Sequence, residues 1–298
     1  MNKQTHHTDW LYTISPKKSV INLNFKEIWY YRDLLLLFVK RDVITLYKQT
    51  ILGPLWYFIQ PLFTSVIFTL VFNNIAEIDT GDGVPAFLFN LAGISAWNYF
   101  SACLTGTSDT FKQNQGIFGK VYFPRVIMPM STVLSNLIKF GIQLLVFVSF
   151  YVYFVFFTDL AYNVSISISI ILLPILVIIM AILGLGFGMI ISSMTTKYRD
   201  LSFLVAFGVQ LLMYGSAVMY PISLIKNKVS EGVLPNFVGY LIEYNPMTTV
   251  IELFRYVTLG AGEFSVVKLA YASIISVIVF LMGLVVFNKT EKTFIDTV

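Results

Sequence analysis

Six runs of about 20 or more largely apolar residues, at 55–74, 85–105, 130–157, 166–192, 201–221 and 265–287, dominate the chain. A helix rising about 1.5 Å per residue needs about 20 such residues to cross the hydrocarbon core of a bilayer. Each run is apolar all round a helical wheel rather than along one stripe, which lipid accepts and water does not. A strand barrel would instead show segments of about 10 residues with alternating polar positions. The pattern therefore predicts an all-α integral membrane protein with six transmembrane helices. No internal repeat divides it.

The polar stretches between the runs orient it. Fifteen of the 20 Lys and Arg residues fall in residues 1–54, near 106–129, near 193–200 and after 287. Four lie in 222–268, and the segments 75–84 and 158–165 have none. Basic residues collect on the cytoplasmic side, so both termini are predicted to be cytoplasmic. The acidic turn with Glu77, Asp79 and Asp82 then lies outside. Six crossings with both ends inside form a consistent topology.

Several segments are too short or too charged to cross. Phe25 to Asp42 predicts an amphipathic interfacial helix, with Phe25, Ile28, Trp29, Leu35, Leu36 and Val39 at helical spacing and Lys26, Asp33 and Lys40 on a polar stripe. It lies in the headgroup plane or packs on a partner protein. A hinge at Gly53-Pro54 follows. The loop 116–125 interleaves Ile117, Phe118, Val121 and Tyr122 with basic residues, as a docking face or as an amphipathic connector on the membrane. Pro246 to Leu259 predicts a short external helix, with Pro246 in its first turn and Gly260 as its C-terminal cap. Met247, Val250, Ile251 and Phe254 form its apolar face, and Glu252 and Arg255 are spaced to pair one turn apart. At about 21 Å it dips into the outer leaflet or lies on it.

Lys139 interrupts the third run, with Ser135, Asn136 and Gln143 on its helical face. An ionisable residue inside a span is by default a functional candidate. Phe140 to Phe157 nearly suffices to cross alone, so the plainer reading has Lys139 snorkel to the cytoplasmic headgroups.

Composition excludes more than it assigns. At 57% hydrophobic and 12% charged, the chain lacks the polar surface of a soluble domain. A net charge of +4 is spread too evenly to suggest a nucleic-acid partner. Cys103 is the sole cysteine, which rules out an internal disulfide and a cysteine metal cluster. Residues 1–20 have no apolar core of the signal-peptide kind and read as a polar tail around His6 and His7. No phosphate-binding loop, nucleophile elbow, zinc motif or catalytic carboxylate pair stands out, so an enzyme such as a membrane glycosyl- or acyltransferase is disfavoured. Acidic residues fall in loops or at run edges, which argues against a proton-driven carrier and for an energy source on another chain.

The loops carry a family resemblance. Arg41-Asp42 … Tyr47-Lys-Gln-Thr-Ile-Leu-Gly-Pro-Leu-Trp56 … Pro61 resembles the approach to the first span of type-2 ABC exporter permeases for polysaccharides. Gly119-Lys-Val-Tyr-Phe-Pro-Arg125 … Pro129 is similar to that family's coupling segment. Tyr198-Arg199-Asp200, Tyr220-Pro221, Asn245-Pro246-Met247 and Glu291 … Phe294-Ile-Asp296 resemble further family marks, in family order. O-antigen exporters are closest in look; teichoic acid and capsule exporters, and type-2 permeases for drugs or small lipophiles, are the alternatives.

The resemblance implies a homodimer of this chain on two ABC ATPase subunits in a bacterial inner membrane, exporting a lipid-linked glycan. No cofactor is expected in this chain; ATP and magnesium belong to the partner ATPase. The implied organisation is a cytoplasmic segment at 1–23, an interfacial helix and gate loop at 24–54, a six-span domain at 55–288 and a cytoplasmic tail at 289–298. Lys40, Arg41, Lys48, Gly53 and Pro54 become the lipid-pyrophosphate and gate residues. Trp56, Tyr57, Trp97, Tyr99 and Phe100 become candidate substrate-path aromatics. Phe118, Gly119, Lys120, Tyr122, Phe123, Pro124 and Arg125 become the ATPase-coupling residues. Asn245, Pro246, Glu252 and Arg255 belong to an external re-entrant helix, one of a short pair between spans five and six.

Overall fold

The computed structural model describes residues 25–48, 51, 53–81, 83–158, 168–198, 200–262 and 264–297. The expectations for residues 1–23 with His6 and His7, for Asp82, for 159–165 and for Arg199 lie outside these. Every regular element among the described residues is helical. They are α1 (Phe25–Tyr30), α2 (Arg32–Tyr47), α3 (Trp56–Phe68, prolonged by a π-helical turn Thr69–Ile75), α4 (Ala86–Ser108), α5 (Thr110–Phe118) and α6 (Ile127–Phe157). The second half comprises α7 (Leu173–Lys197), α8 (Leu201–Tyr214), α9 (Ile222–Ser230), α10 (Asn236–Glu243), α11 (Pro246–Leu259) and α12 (Val266–Thr297).

Four helical stretches are long and apolar enough to cross a membrane: Trp56–Ile75, Ile127–Phe157, Ser169–Lys197 and Val266–Glu291. The chain is thus a multi-pass membrane protein. Two of the six predicted crossings differ in kind. At 23 residues, or about 34 Å, α4 is long enough, but Asn90, Ser95, Asn98, Ser101 and Thr105 dilute its apolar character. It can carry them because it is the enclosed helix, packed on α7, α6, α11 and α3. The fifth run does not stay helical over 201–221: α8 stops after 14 residues, at Gly215. Ser216 to Met219 then turn inward and are buried, with Ala217 at a φ of +50°.

Glycines allow the central contacts. On α7, a Cβ at Gly184 or Gly188 would lie within 2.8 Å of α4 atoms, and one at Gly186 within 2.7 Å of Phe280 on α12. Small residues on two sides of one helix let both neighbours approach backbone to backbone, where lipid supplies no hydrophobic drive between helices. A girdle of exposed Phe63, Leu145, Phe203 and Val277 surrounds this core.

The interfacial segment departs from expectation. It breaks at Tyr31 into α1 and α2, and α2 runs to Tyr47 along the flank of α6. Trp29 and Leu36 of the expected apolar stripe are exposed, as a face toward membrane or partner requires, and Phe38, outside that stripe, is the residue buried against the bundle. At the other margin α12 continues as helix through residues 289–297. The bundle has two ends. The Arg125 end holds α2, α5, the loop 119–126 and the close of α12; the Arg255 end holds α9 to α11.

Candidate functional site

On α6 the residues Ser131, Ser135, Asn136, Lys139 and Gln143 recur at helical spacing and form one polar face in an otherwise apolar helix. The neighbours α2, α3 and α4 leave two cavities along that face. The first, about 370 Å³, is bounded by Arg41, Asp42 and Thr45 of α2, by Gln113 and Asn114 of α5, and by the α6 face up to Lys139. The second, about 280 Å³, begins at Asn136 and Lys139 and is lined by Tyr57, Gln60, Asn98, Tyr99, Thr105 and Gln143. Lys139 borders both.

Its surroundings are polar but sparse. The ammonium donates to Asn136 Oδ1 at 2.8 Å and lies 5.5 Å from the centre of the Tyr57 ring. Asn136 is itself tied to α4, its Nδ2 donating to the Ala102 carbonyl at 3.0 Å. The Asp42 carboxylate accepts from Arg41 Nε and Nη2 at 2.9 and 2.8 Å, and from Ser135 Oγ at 3.5 Å. No carboxylate among the described residues comes within 4.0 Å of Lys139. Gln143 is buried, and its Oε1 has no hydrogen-bond partner. Lys139 is half-buried, with its amine between the asparagine one turn earlier and the tyrosine of α3, and it borders the cavity that leads to Arg41 and Asp42.

The predicted gate residues are dispersed. Arg41 lines the first cavity, with its guanidinium over the Phe38 ring at 4.9 Å. Lys40 and Lys48 are exposed, the latter capping α2. Gly53, at a φ of +46°, opens the 3-10 turn Gly53–Leu55 that contains Pro54, and only glycine accepts that conformation at low cost. Of the five aromatics, Tyr57 and Tyr99 line the second cavity, and Trp56 is exposed at the start of α3. Trp97 and Phe100 are buried with ring centres 5.4 Å apart, so in this conformation neither offers a face to a passing ligand.

The predicted coupling segment splits in two. Gly119, Lys120, Val121 and Tyr122 are exposed, and Tyr122 retains 71% of its accessible surface. Phe118 and Phe123 are buried, with Pro124 half-buried between Phe123 and Arg125. Phe123 meets Phe38 of α2 at 5.8 Å, Phe118 meets Phe111 at 5.9 Å, and Phe111 stacks on Phe287 of α12 at 4.6 Å. Arg125 lies over Phe118 at 5.3 Å and donates to the Glu291 carbonyl at 2.6 Å. Burial pushes its pKa below the usual arginine value, opposed by the Glu291 charge.

At the Arg255 end, Asn245 caps α11 by accepting from Met247 N at 2.9 Å, with Pro246 in the first turn and Gly260 at a φ of +73° closing it. The expected Glu252–Arg255 pair does not form. Arg255 is fully buried, donates to the carbonyls of Phe89, Ala217 and Val218 at 3.3, 2.9 and 2.5 Å, and lies 3.6 Å over the Phe89 ring. Glu252 instead accepts from Ile222 N at 3.1 Å and approaches Lys268 at 4.0 Å. Three backbone carbonyls at one point outbid a single carboxylate one turn away.

Sequence reasoning missed Gln60, Asn98, Ser101 and Thr105. The last three recur at i, i+3 and i+7, a polar stripe along an apolar run, and that spacing was the available signal.

The O-antigen export system permease protein RfbA of Klebsiella pneumoniae is 27% identical over 269 residues, covering 90% of this chain and 95% of its own length. A protein of the same description from Myxococcus xanthus is 22% identical over 77% of this chain and 82% of its own length. The polysialic acid transport protein KpsM of Escherichia coli is 21% identical over 86% and 93% respectively. The family model described as ABC-2 type transporter matches residues 33–259, from α2 to the end of α11. That match spans well over half of the chain, which therefore belongs to the ABC-2 type transporter family.

Proposed function

We propose that this chain is the permease subunit of an ATP-driven exporter that moves a lipid-linked polysaccharide of O-antigen type out across a bacterial inner membrane. The observation that carries the reading is the polar seam from Arg41 and Asp42 through Lys139 to Gln60 and Gln143, along a bundle that is otherwise apolar. A hydroxylated polymer leaving water needs hydrogen-bond partners at each step, because an unmatched polar group in a low-dielectric interior costs on the order of several kcal/mol. Membership of the family, and relatives whose names specify O-antigen export and polysialic acid transport, support a glycan as the cargo.

In this reading α4 and α8 complete a six-span set, and α9 to α11 form the external cap with its re-entrant element. The crowding of Lys and Arg at the Arg125 end supports a cytoplasmic position for that end and for both termini. Two copies of the chain face each other, and two ATPase subunits binding ATP and magnesium dock on the exposed turn from Gly119 to Tyr122. The rings behind that turn, Phe123 on Phe38 and Phe118 on Phe111, pass its displacement to α2 and α12. The lipid carrier enters beside α2, where Arg41 meets the seam.

In cells deleted for this chain, lipid-linked glycan should accumulate inside and disappear from the surface; unchanged surface glycan overturns the function. The pair Gln60→Leu and Asn98→Leu should still assemble with the ATPase yet reduce surface glycan severalfold.

A further inference from the structure

Lys139 lies about 18 Å along a helix of about 46 Å. It is the point at which the two cavities meet. Its ammonium makes one side-chain hydrogen bond, to a neutral amide, and no carboxylate stands within 4.0 Å. The nearest acid on the seam, Asp42, is held by Arg41. Lys139 is half-buried, and a partly desolvated cation without an ion-pair partner in contact gains from a counter-ion. The remaining wall points the same way. Gln143 lines the second cavity, and its Oε1 is buried beside it without a hydrogen-bond partner. Tyr57 closes the opposite side with an aromatic ring. An ammonium for an anion, an amide for a hydroxyl and a ring for a flat face, around about 280 Å³, describe a site for one acidic sugar residue or one phosphate with its adjoining sugar.

We infer that Lys139 is an anion-binding station inside the conduit, deeper than Arg41, which holds one acidic group of the exported molecule while Gln143 and Tyr57 engage the hydroxylated ring beside it. The inference rests on the function proposed above. The same chemistry has two sources: a carboxylate on the glycan or the pyrophosphate of its lipid carrier.

The test uses the exporter complete with its ATPase subunits in nanodiscs, carrying Gln60→Cys as a reporter in a Cys103→Ser background. Labelling of the reporter by a small thiol-reactive methanethiosulfonate is timed in trigalacturonate, maltotriose or inorganic pyrophosphate. Trigalacturonate or pyrophosphate should slow labelling at least fivefold at a concentration where maltotriose has no effect. Lys139→Met should abolish that difference and Lys139→Arg preserve it. Protection by trigalacturonate assigns the charge to the sugar, and protection by pyrophosphate alone assigns it to the carrier. Equal protection by both trisaccharides, no protection by any probe, or protection that survives Lys139→Met overturns the station. Glycan export by the same complex without the reporter, reconstituted into sealed proteoliposomes, is measured alongside. Export without Lys139-dependent protection rejects the station alone, whereas absence of export rejects the function beneath it.

Discussion

Arg255 is buried and Lys139 half-buried in the same apolar bundle, and their surroundings are opposite. Three carbonyls and an aromatic ring surround Arg255, and α4 gives way to admit it: a Cβ at Gly93 would lie 2.4 Å from Arg255 Nη2. Through it the start of α4, the turn after α8 and α11 become one rigid unit. Lys139 has one neutral partner, two cavities beside it and an orphan amide oxygen nearby. Saturation marks a residue that holds the fold together. Incomplete satisfaction marks a place kept for something that arrives and leaves.

The sharpest break in this comparison is Arg255→Leu. It orphans three buried carbonyls at about 1–3 kcal/mol each, so detergent-solubilised protein should lose monodispersity and most of its thermal transition. A stable variant would show that saturation at this end is incidental. Gly93→Ala comes next, crowding the guanidinium for about 1–3 kcal/mol. It should lower Tm by several degrees while leaving the protein folded. By contrast Lys139→Met should leave Tm nearly unchanged, since a lysine with one neutral partner is readily replaced by an apolar chain of similar shape. Its surface glycan should nevertheless fall. A large loss of stability there would erase the distinction drawn between the two cations.

The smallest effect concerns Glu252, on α11 outside the crossing helices. Burial raises its pKa above the usual carboxylate value, opposed by the Ile222 N–H bond and then by Lys268, Arg255 and Lys226. The folded state therefore holds the proton more tightly than the unfolded chain. That contribution is complete below the ordinary carboxylate range and is lost as pH rises through the raised value. Glu252→Gln should remove this component, so the difference in Tm between variant and wild type should widen as pH rises through that window.

How much of this was legible depended on whether a neighbour in space was required. The helix 246–259 was readable to the residue, because Pro246 at its start and Gly260 at its end are local backbone signals. The packing stripe of α2 was not. In a membrane an apolar side chain can face lipid as well as protein, so helical spacing alone did not tell exposed Leu36 from buried Phe38. The same ambiguity governed the 116–125 loop, whose rings serve the protein's own core at Phe118 and Phe123 and face outward only at Tyr122.

The apolar runs by themselves determined the solvent of this protein, and together with the basic loops they set the number of crossings and the cytoplasmic end to look for. Those are properties of single segments against a bilayer. The family likeness, too, was carried by short motifs in order. Tertiary structure alone decided where each polar group inside a run points. Which way a lysine reaches depends on the asparagine and tyrosine beside it, and whether an arginine pairs with a carboxylate depends on the carbonyls that another helix turn brings near. Composition left Lys139 suspended between headgroups and function; the packing of α2, α3 and α4 around α6 set it on the seam.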